Sequence, residues 1–549
     1  MKSKGLIRMV AMAVLAVPLV IAGFRLLDTP RRPEVPDAGG GAGLRSVPPP
    51  SRPPAPVAPP FRAPSRAPSR ARGEEATSAP VPERSIPLPE AEDSIPGEYT
   101  LAFFNARDRK AFEALAGRYG IRILDRMEAL QALRISTPDA AALRSLLAVG
   151  PRPLTFAPNT VVRIPPLAEG PSAEAPATPY TGFGADVLRW LGVPDPQPGW
   201  GRGVLVAVLD TGFPGNAAGR LDLTGEGIGN AVHGGAVASL ITGRQGMAPG
   251  SSLLDIKVLS DNGQGDAFTL ARGILEAVDR GAGIINICAG TRGDSPALAA
   301  AVAYALARNV LIIASSGNDG LAAVSYPAGY DGVLAVGGVD AEDRHLYFSN
   351  TGSVDISAPG IGLEVPGAEA GQTVSFSGTS AATPLVTAAA ALLRAESPQR
   401  TPEEITALLK LYSNDAGEPG PDDAIGAGVL DAGRLLARQV PGVVDVAAIR
   451  PYLRRDAQRG LVVADVFAQN QGTVALPLVE MILTVDGGQQ VLRFADVGIG
   501  ATLAHTLERP VVAVDAAGLD ITVEVHPVGL ADAQPGNNTV RTVLLPAAP

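Results

Sequence analysis

Ser377-Gly378-Thr379-Ser380-Ala381-Ala382-Thr383-Pro384 opens a longer apolar run, residues 385–393, with no charge before Arg394. Small residues precede the serine, and Pro384 is read as lying in the opening turn of a helix, where proline is accepted. The alanine-rich run has high helix propensity and no polar face, which predicts a buried helix. A serine at such a start sits near the positive end of the helix dipole, among backbone N–H groups free to hold an anion. Taken alone, the stretch is equally well a capped core helix.

Two upstream segments decide between these readings. Residues 203–212, Gly-Val-Leu-Val-Ala-Val-Leu-Asp-Thr-Gly, read as a strand buried on both faces that ends in Asp210 and a glycine turn. Functional groups collect at that edge of an α/β sheet. Residues 233–240, His-Gly-Gly-Ala-Val-Ala-Ser-Leu, place a histidine at the start of a helix of small residues.

Asp210, His233 and Ser380 follow one another in an order known for serine-peptidase triads. With their flanking residues, 208–212, 233–238 and 378–384, they resemble the three signatures of the subtilisin-like serine peptidases (subtilases) across about residues 200–435. Gly235 stands where the family usually has threonine, and Ala381 where it often has methionine. Both replacements are small and leave the reactive groups in place.

The resemblance implies an α/β fold, a doubly wound parallel sheet, and peptide hydrolysis through an acyl-enzyme. Ser380 would attack, His233 would take its proton, and Asp210 would orient the imidazole. Residues 315–319, Ser-Ser-Gly-Asn-Asp, resemble the family's oxyanion motif, with Asn318 as side-chain donor and the Ser380 N–H as the second. Cys288, Ala289 and Gly290, with Ser315, Ser316 and Gly317, correspond to segments that line the substrate pocket and pair with an extended peptide. Cys288 is expected to be small, buried and unreactive. No cofactor is needed for this chemistry. Calcium is common in the family, but no acidic loop here is specific enough to assign it, and the four histidines show no metal-ligand spacing.

The rest of the chain is read around that unit. Of its 549 residues 46% are hydrophobic, ample for a core, and the net charge of −10 argues against a nucleic-acid partner. A single cysteine excludes an intrachain disulfide framework. Lys2, Lys4 and Arg8 precede an uncharged run, residues 9–24, so residues 1–27 read as an export signal, cleaved or kept as a membrane anchor. Residues 28–95 are Pro-, Ala-, Arg- and Ser-rich and read as an extended linker. Residues 96–165 follow the β-α-β-β-α-β pattern of a ferredoxin-like unit. By position they resemble the family's inhibitory propeptide, whose C-terminal tail, here around Ile164, blocks the cleft. Residues 166–182 form a second linker with a candidate maturation site, and residues 183–438 the catalytic unit.

Past Pro441 the pattern changes to short strands separated by Gly, Asn and Asp turns. Residues 443–549 therefore read as a β-sandwich, similar to bacterial adhesion-type immunoglobulin-like modules. The expectation is an exported, envelope-associated or secreted serine endopeptidase, made as a self-processing zymogen. Its partners would be polypeptide substrates, its own propeptide and the cell envelope. The alternative is a catalytically silent binding protein that uses the subtilisin-like unit as a scaffold. A broken triad would mark that alternative, and here all three groups are present.

Overall fold

A computed structural model describes residues 93–546 apart from Pro138, residues 167–178, Ile228, Asn230, Ala368 and Ala370. The export signal expected at 1–27, nearly all of the spacer expected at 28–95 and most of the linker expected at 166–182 lie outside the described residues. Among the described residues no helix is long and apolar enough to cross a membrane.

A seven-stranded parallel sheet organises the chain. Across it run Ile356–Pro359, Leu334–Val339, Leu311–Ser315, Ile284–Ile287, Leu205–Asp210, Ser252–Lys257 and Gly219–Asp222. The strand Leu205–Asp210 is central because its side chains are apolar on both faces. Val206 and Val208 join the core beneath the helices Val232–Thr242 and Thr379–Glu396. Ala207 and Leu209 join the core beneath Ala267–Asp279 and Pro296–Leu306. After the chain adds Ser252–Lys257 on one side of that strand, it crosses over to add Ile284–Ile287 on the other. Such a switch point opens a crevice at the carboxyl ends of the strands, where Asp210 and Cys288 stand.

The helix Thr379–Glu396 is buried from Thr379 through Arg394, as its composition predicts. Its proline corrects the sequence reading, because Pro384 lies a turn deeper than the opening turn. Proline there removes the N–H that would bond the carbonyl four residues back, that of Ser380. The Cys288 thiol takes that place and donates to Ser380 O at 3.6 Å.

Upstream, the strands Ser94–Ala102, Arg122–Met127, Ala132–Ser136 and Thr155–Arg163 pair antiparallel, with the helices Ala106–Ala116 and Ala140–Val149 between them. The first strand begins at Ser94, inside the stretch read as spacer. The sheet extends onto the catalytic unit, where Thr155–Arg163 pairs with Gln264–Asp266. Met127, Ala132 and Val162 share one core with the helix Ala267–Asp279. Asp266 ties the two together. It caps that helix through Thr269 N–H, 3.0 Å, and accepts from Arg134 at 2.7 Å and Asn159 at 3.0 Å. Capping of this kind is worth about 1 kcal/mol.

Tyr180 and Thr181, read as the end of a linker, are held by the loop after Leu334–Val339. Thr181 N–H donates to Asp340 at 3.1 Å, and Tyr180 OH donates to His345 O at 3.2 Å.

The C-terminal region is two facing antiparallel sheets. One is Val446–Asp456, Leu461–Asn470 and Thr502–Pro510; the other is Gly488–Val497, Leu476–Val485, Leu519–Pro527 and Thr539–Leu544. Alternate residues such as Val462, Ala464, Val479, Met481, Val523 and Val525 fill the space between them. Arg434 joins this region to the α/β unit. It donates to Ser413 O and Asn414 Oδ1 at 2.8 Å and to Gln471 O at 3.1 Å.

Candidate active site

Asp210 is fully buried at the carboxyl end of its strand. Its Oδ1 accepts from Thr211 N–H at 2.7 Å, which fixes the carboxylate plane. His233 Nδ1 lies 2.9 Å from Asp210 Oδ1 and 3.0 Å from Oδ2. A carboxylate only accepts, so Nδ1 carries the proton and Nε2 is left as the basic nitrogen. Glycine allows the approach, since a Cβ at Gly234 would lie 2.1 Å from Gly212 O. At Gly235 a Cβ would sit 3.2 Å from Pro214 Cδ, so the neighbouring turn leaves little room for a larger residue. Phe376 meets the imidazole edge-on, with ring centroids 5.4 Å apart.

Ser380 is the second residue of its helix and buried. Its hydroxyl donates to Cys288 O over a long 3.4 Å, and His233 Nε2 is buried without a hydrogen-bond partner. The structure thus joins Asp210 to His233 directly and leaves the Ser380–His233 hydrogen bond open.

Asn318 is placed by the residue beside the serine. Its Oδ1 accepts from both Thr379 N–H and Thr379 Oγ1 at 2.9 Å. That double contact turns Nδ2 into the cleft, where it donates to Pro165 O at 3.1 Å. Gly378 makes room, because a Cβ there would lie 2.9 Å from Asn318 Nδ2. The Ser380 N–H, expected as the second donor, is not among the groups hydrogen-bonded to that oxygen.

The expected pocket residues divide by what they present. Gly290 exchanges two backbone hydrogen bonds with Arg163, each 3.0 Å. Cys288 and Ala289 are fully buried and point to opposite faces of the sheet, so only their backbone faces the cleft. Burial, and next the charge of Asp210, push the Cys288 thiol well above its ordinary range. Ser315 and Ser316 are buried, with hydroxyls that make no hydrogen bond. Gly317 N–H donates to Thr379 Oγ1 at 3.3 Å.

Sequence reasoning passed over two parts of this site. Asn350 holds the 315–321 loop by accepting from Asp319 and Leu321 N–H at 3.0 Å and donating to Ser316 O at 3.1 Å. No motif marks it. The edge strand Gln264–Asp266 forms the second wall of the cleft. Its Gly263-Gln264-Gly265 reads locally as a turn.

The subtilase family model matches residues 201–428. Subtilisin Savinase of Lederbergia lenta is 36% identical over 253 residues, covering 42% of this chain and 90% of that protein. Alkaline elastase YaB of Bacillus sp. (strain YaB) is 37% identical over 249 residues, covering 42% of this chain and 64% of that protein. Among solved structures, the prenylagaramide maturation protease PagA aligns at 31% identity and a TM-score of 0.38, covering 42% of this chain and 93% of that one. The match to nearly the whole length of a subtilisin places this chain in the subtilase family, as a subtilisin-like serine endopeptidase that acts on polypeptides and needs no cofactor for its chemistry.

Proposed function

We propose that Asp210, His233 and Ser380 are the catalytic triad and that Asn318 is the oxyanion donor. The observation that carries this reading is the paired contact of His233 Nδ1 with both Asp210 oxygens, 2.9 and 3.0 Å. It fixes the tautomer that leaves Nε2 as the base. In the reaction the Ser380 hydroxyl gives its proton to His233 Nε2 and its oxygen bonds to the substrate carbonyl carbon. Asp210 holds the imidazolium, and Asn318 Nδ2 donates to the oxygen that gains charge. His233 then protonates the leaving amine, and water resolves the ester through the same groups. The backbone of Cys288, Ala289 and Gly290 on one side, and of Gln264–Asp266 on the other, takes the substrate as an added strand. Ser315, Ser316 and Gly317 border the pocket next to Asn318.

The unit read from the sequence as 96–165 acts as an inhibitory propeptide. In support, its last strand fills the cleft and its Pro165 carbonyl meets Asn318. The protease is made as a zymogen and exported through residues 1–27, whose basic start and apolar run support that role. The C-terminal sheets serve as an immunoglobulin-like module that contacts the cell envelope; their two-sheet packing supports the module. Exchange of Ser380 for alanine tests the catalytic assignment: hydrolysis of casein is lost while the protein stays folded. Hydrolysis that survives the exchange contradicts it.

A further inference from the structure

Residues 161–165 lie in the cleft in a defined register. Val161, Val162 and Arg163 pair antiparallel with Asp266, Gly265 and Gln264. On the other side Arg163 exchanges both backbone hydrogen bonds with Gly290, and Ile164 N–H donates to Gly263 O at 3.0 Å. In an antiparallel ladder, doubly bonded pairs recur two residues along each strand. Residue 165 therefore stands opposite Cys288, where its N–H would donate to Cys288 O.

Residue 165 is proline and has no N–H. Cys288 O instead accepts the Ser380 hydroxyl at 3.4 Å, and His233 Nε2 has no partner. The bond that follows the carbonyl held by Asn318 is Pro165–Pro166, with Pro165 buried and Pro166 exposed. Its nitrogen is a ring tertiary amide, with a Cδ crowding the approach of the proton that acyl transfer must deliver to it.

We propose that the proline pair makes this tail a resident inhibitor. It is seated at the reacting centre, yet the Pro165–Pro166 bond is not cut. Maturation cuts fall outside that bond, and the two prolines, rather than weak binding, protect the tail from the enzyme that holds it. The proposal rests on the reading of Ser380 as nucleophile. Replacing both prolines restores the missing donor and an ordinary leaving nitrogen. Ser380 Oγ then bonds to the carbonyl carbon of residue 165, its proton passes through His233 Nε2 to the nitrogen of residue 166, and the C–N bond breaks. Water hydrolyses the resulting ester.

The test uses the full chain as wild type, Pro166→Ala and Pro165→Ala/Pro166→Ala, each with and without Ser380→Ala. Intact mass follows the cut, and a fluorogenic apolar peptide reports Ser380-dependent hydrolysis independently. Wild type yields no fragment ending at residue 165, whereas the double variant is cut there at least ~100-fold faster, the scale of a misplaced reacting group. The cut disappears with Ser380→Ala. Synthetic peptides of residues 158–168 repeat the contrast in trans: the native sequence inhibits and persists, while the Ala-Ala version is consumed. A wild-type fragment ending at Pro165 overturns the proposal. So does a double variant left whole at that bond while hydrolysing the fluorogenic peptide through Ser380. A double variant that is neither cut nor more active on the peptide than its Ser380→Ala control also overturns the proposal. The same comparison in a Val162→Asp background, where the tail is loosened, shows separately whether the assignment of Ser380 fails.

Discussion

Asn318 Nδ2 donates to the Pro165 carbonyl oxygen at 3.1 Å, while its Oδ1 is held by the N–H and hydroxyl of Thr379. One side chain thus links the start of the serine helix to the tail in the cleft. Because Thr379 fixes the amide, Nδ2 would need no reorganisation to meet the oxyanion of the proposed mechanism.

Asn318→Ala is expected to lower kcat about 100- to 1,000-fold, the usual cost of losing one oxyanion donor. KM should change little, because the strand-like backbone contacts that bind substrate remain. Steady-state kinetics on a peptide substrate check this; an unchanged kcat removes Asn318 from the oxyanion role.

Cys288 has no exposed surface, and burial raises its thiol well above the ordinary range. Iodoacetamide should leave the native protein unlabelled and modify one thiol per chain in urea. The thiol also fills the carbonyl that Pro384 strands, so Cys288→Ala should cost about 1–3 kcal/mol in urea unfolding. Cys288→Ser should recover part of it. Rapid labelling of the native protein contradicts this environment.

Much of the candidate site is legible in the sequence because the residues that the fold brings together lie in short contiguous motifs. Asp210 ends a buried strand, His233 and Ser380 start helices, and each carries small neighbours that the packing needs. Gly234 and Gly378 show why, since a Cβ at either would collide with Gly212 O or Asn318. Long-range partnerships were not legible. Asn350 supports the Asn318 loop across a distance in sequence that no local pattern reports. The edge strand Gln264–Asp266 exists because residues 161–163 pair with it, which local propensity does not encode. In the C-terminal region the two sheets include Val446–Asp456, Thr502–Pro510 and Thr539–Leu544, whose charged residues obscure the strand pattern in the sequence.

His345 lies in the loop after Leu334–Val339, and its Nε2 is shielded and unpartnered. Burial lowers its pKa from 6.5 to about 4. A base with a lowered folded-state pKa costs stability as pH falls, because the unfolded chain takes up the proton first. The loss should develop from about pH 6.5 down to about 4. His345→Gln, which does not titrate, should therefore lose less stability than wild type over that window when urea midpoints are compared. Equal losses in both proteins contradict the shielding of His345.

Val162 is fully buried in the core shared by the tail and the helix Ala267–Asp279. A carboxylate there has no partner, so Val162→Asp should loosen the tail and raise hydrolysis of an added peptide at least about tenfold. Unchanged hydrolysis would show that the tail does not limit access to the cleft.

The most direct test combines that opened cleft with removal of the proposed nucleophile, Ser380. Hydrolysis of a fluorogenic apolar peptide is measured for the full chain carrying Val162→Asp, with and without Ser380→Ala. If Ser380 is the nucleophile, kcat is at least about ten-thousand-fold lower without it, at an unchanged melting temperature. Comparable hydrolysis by the two proteins would contradict that role.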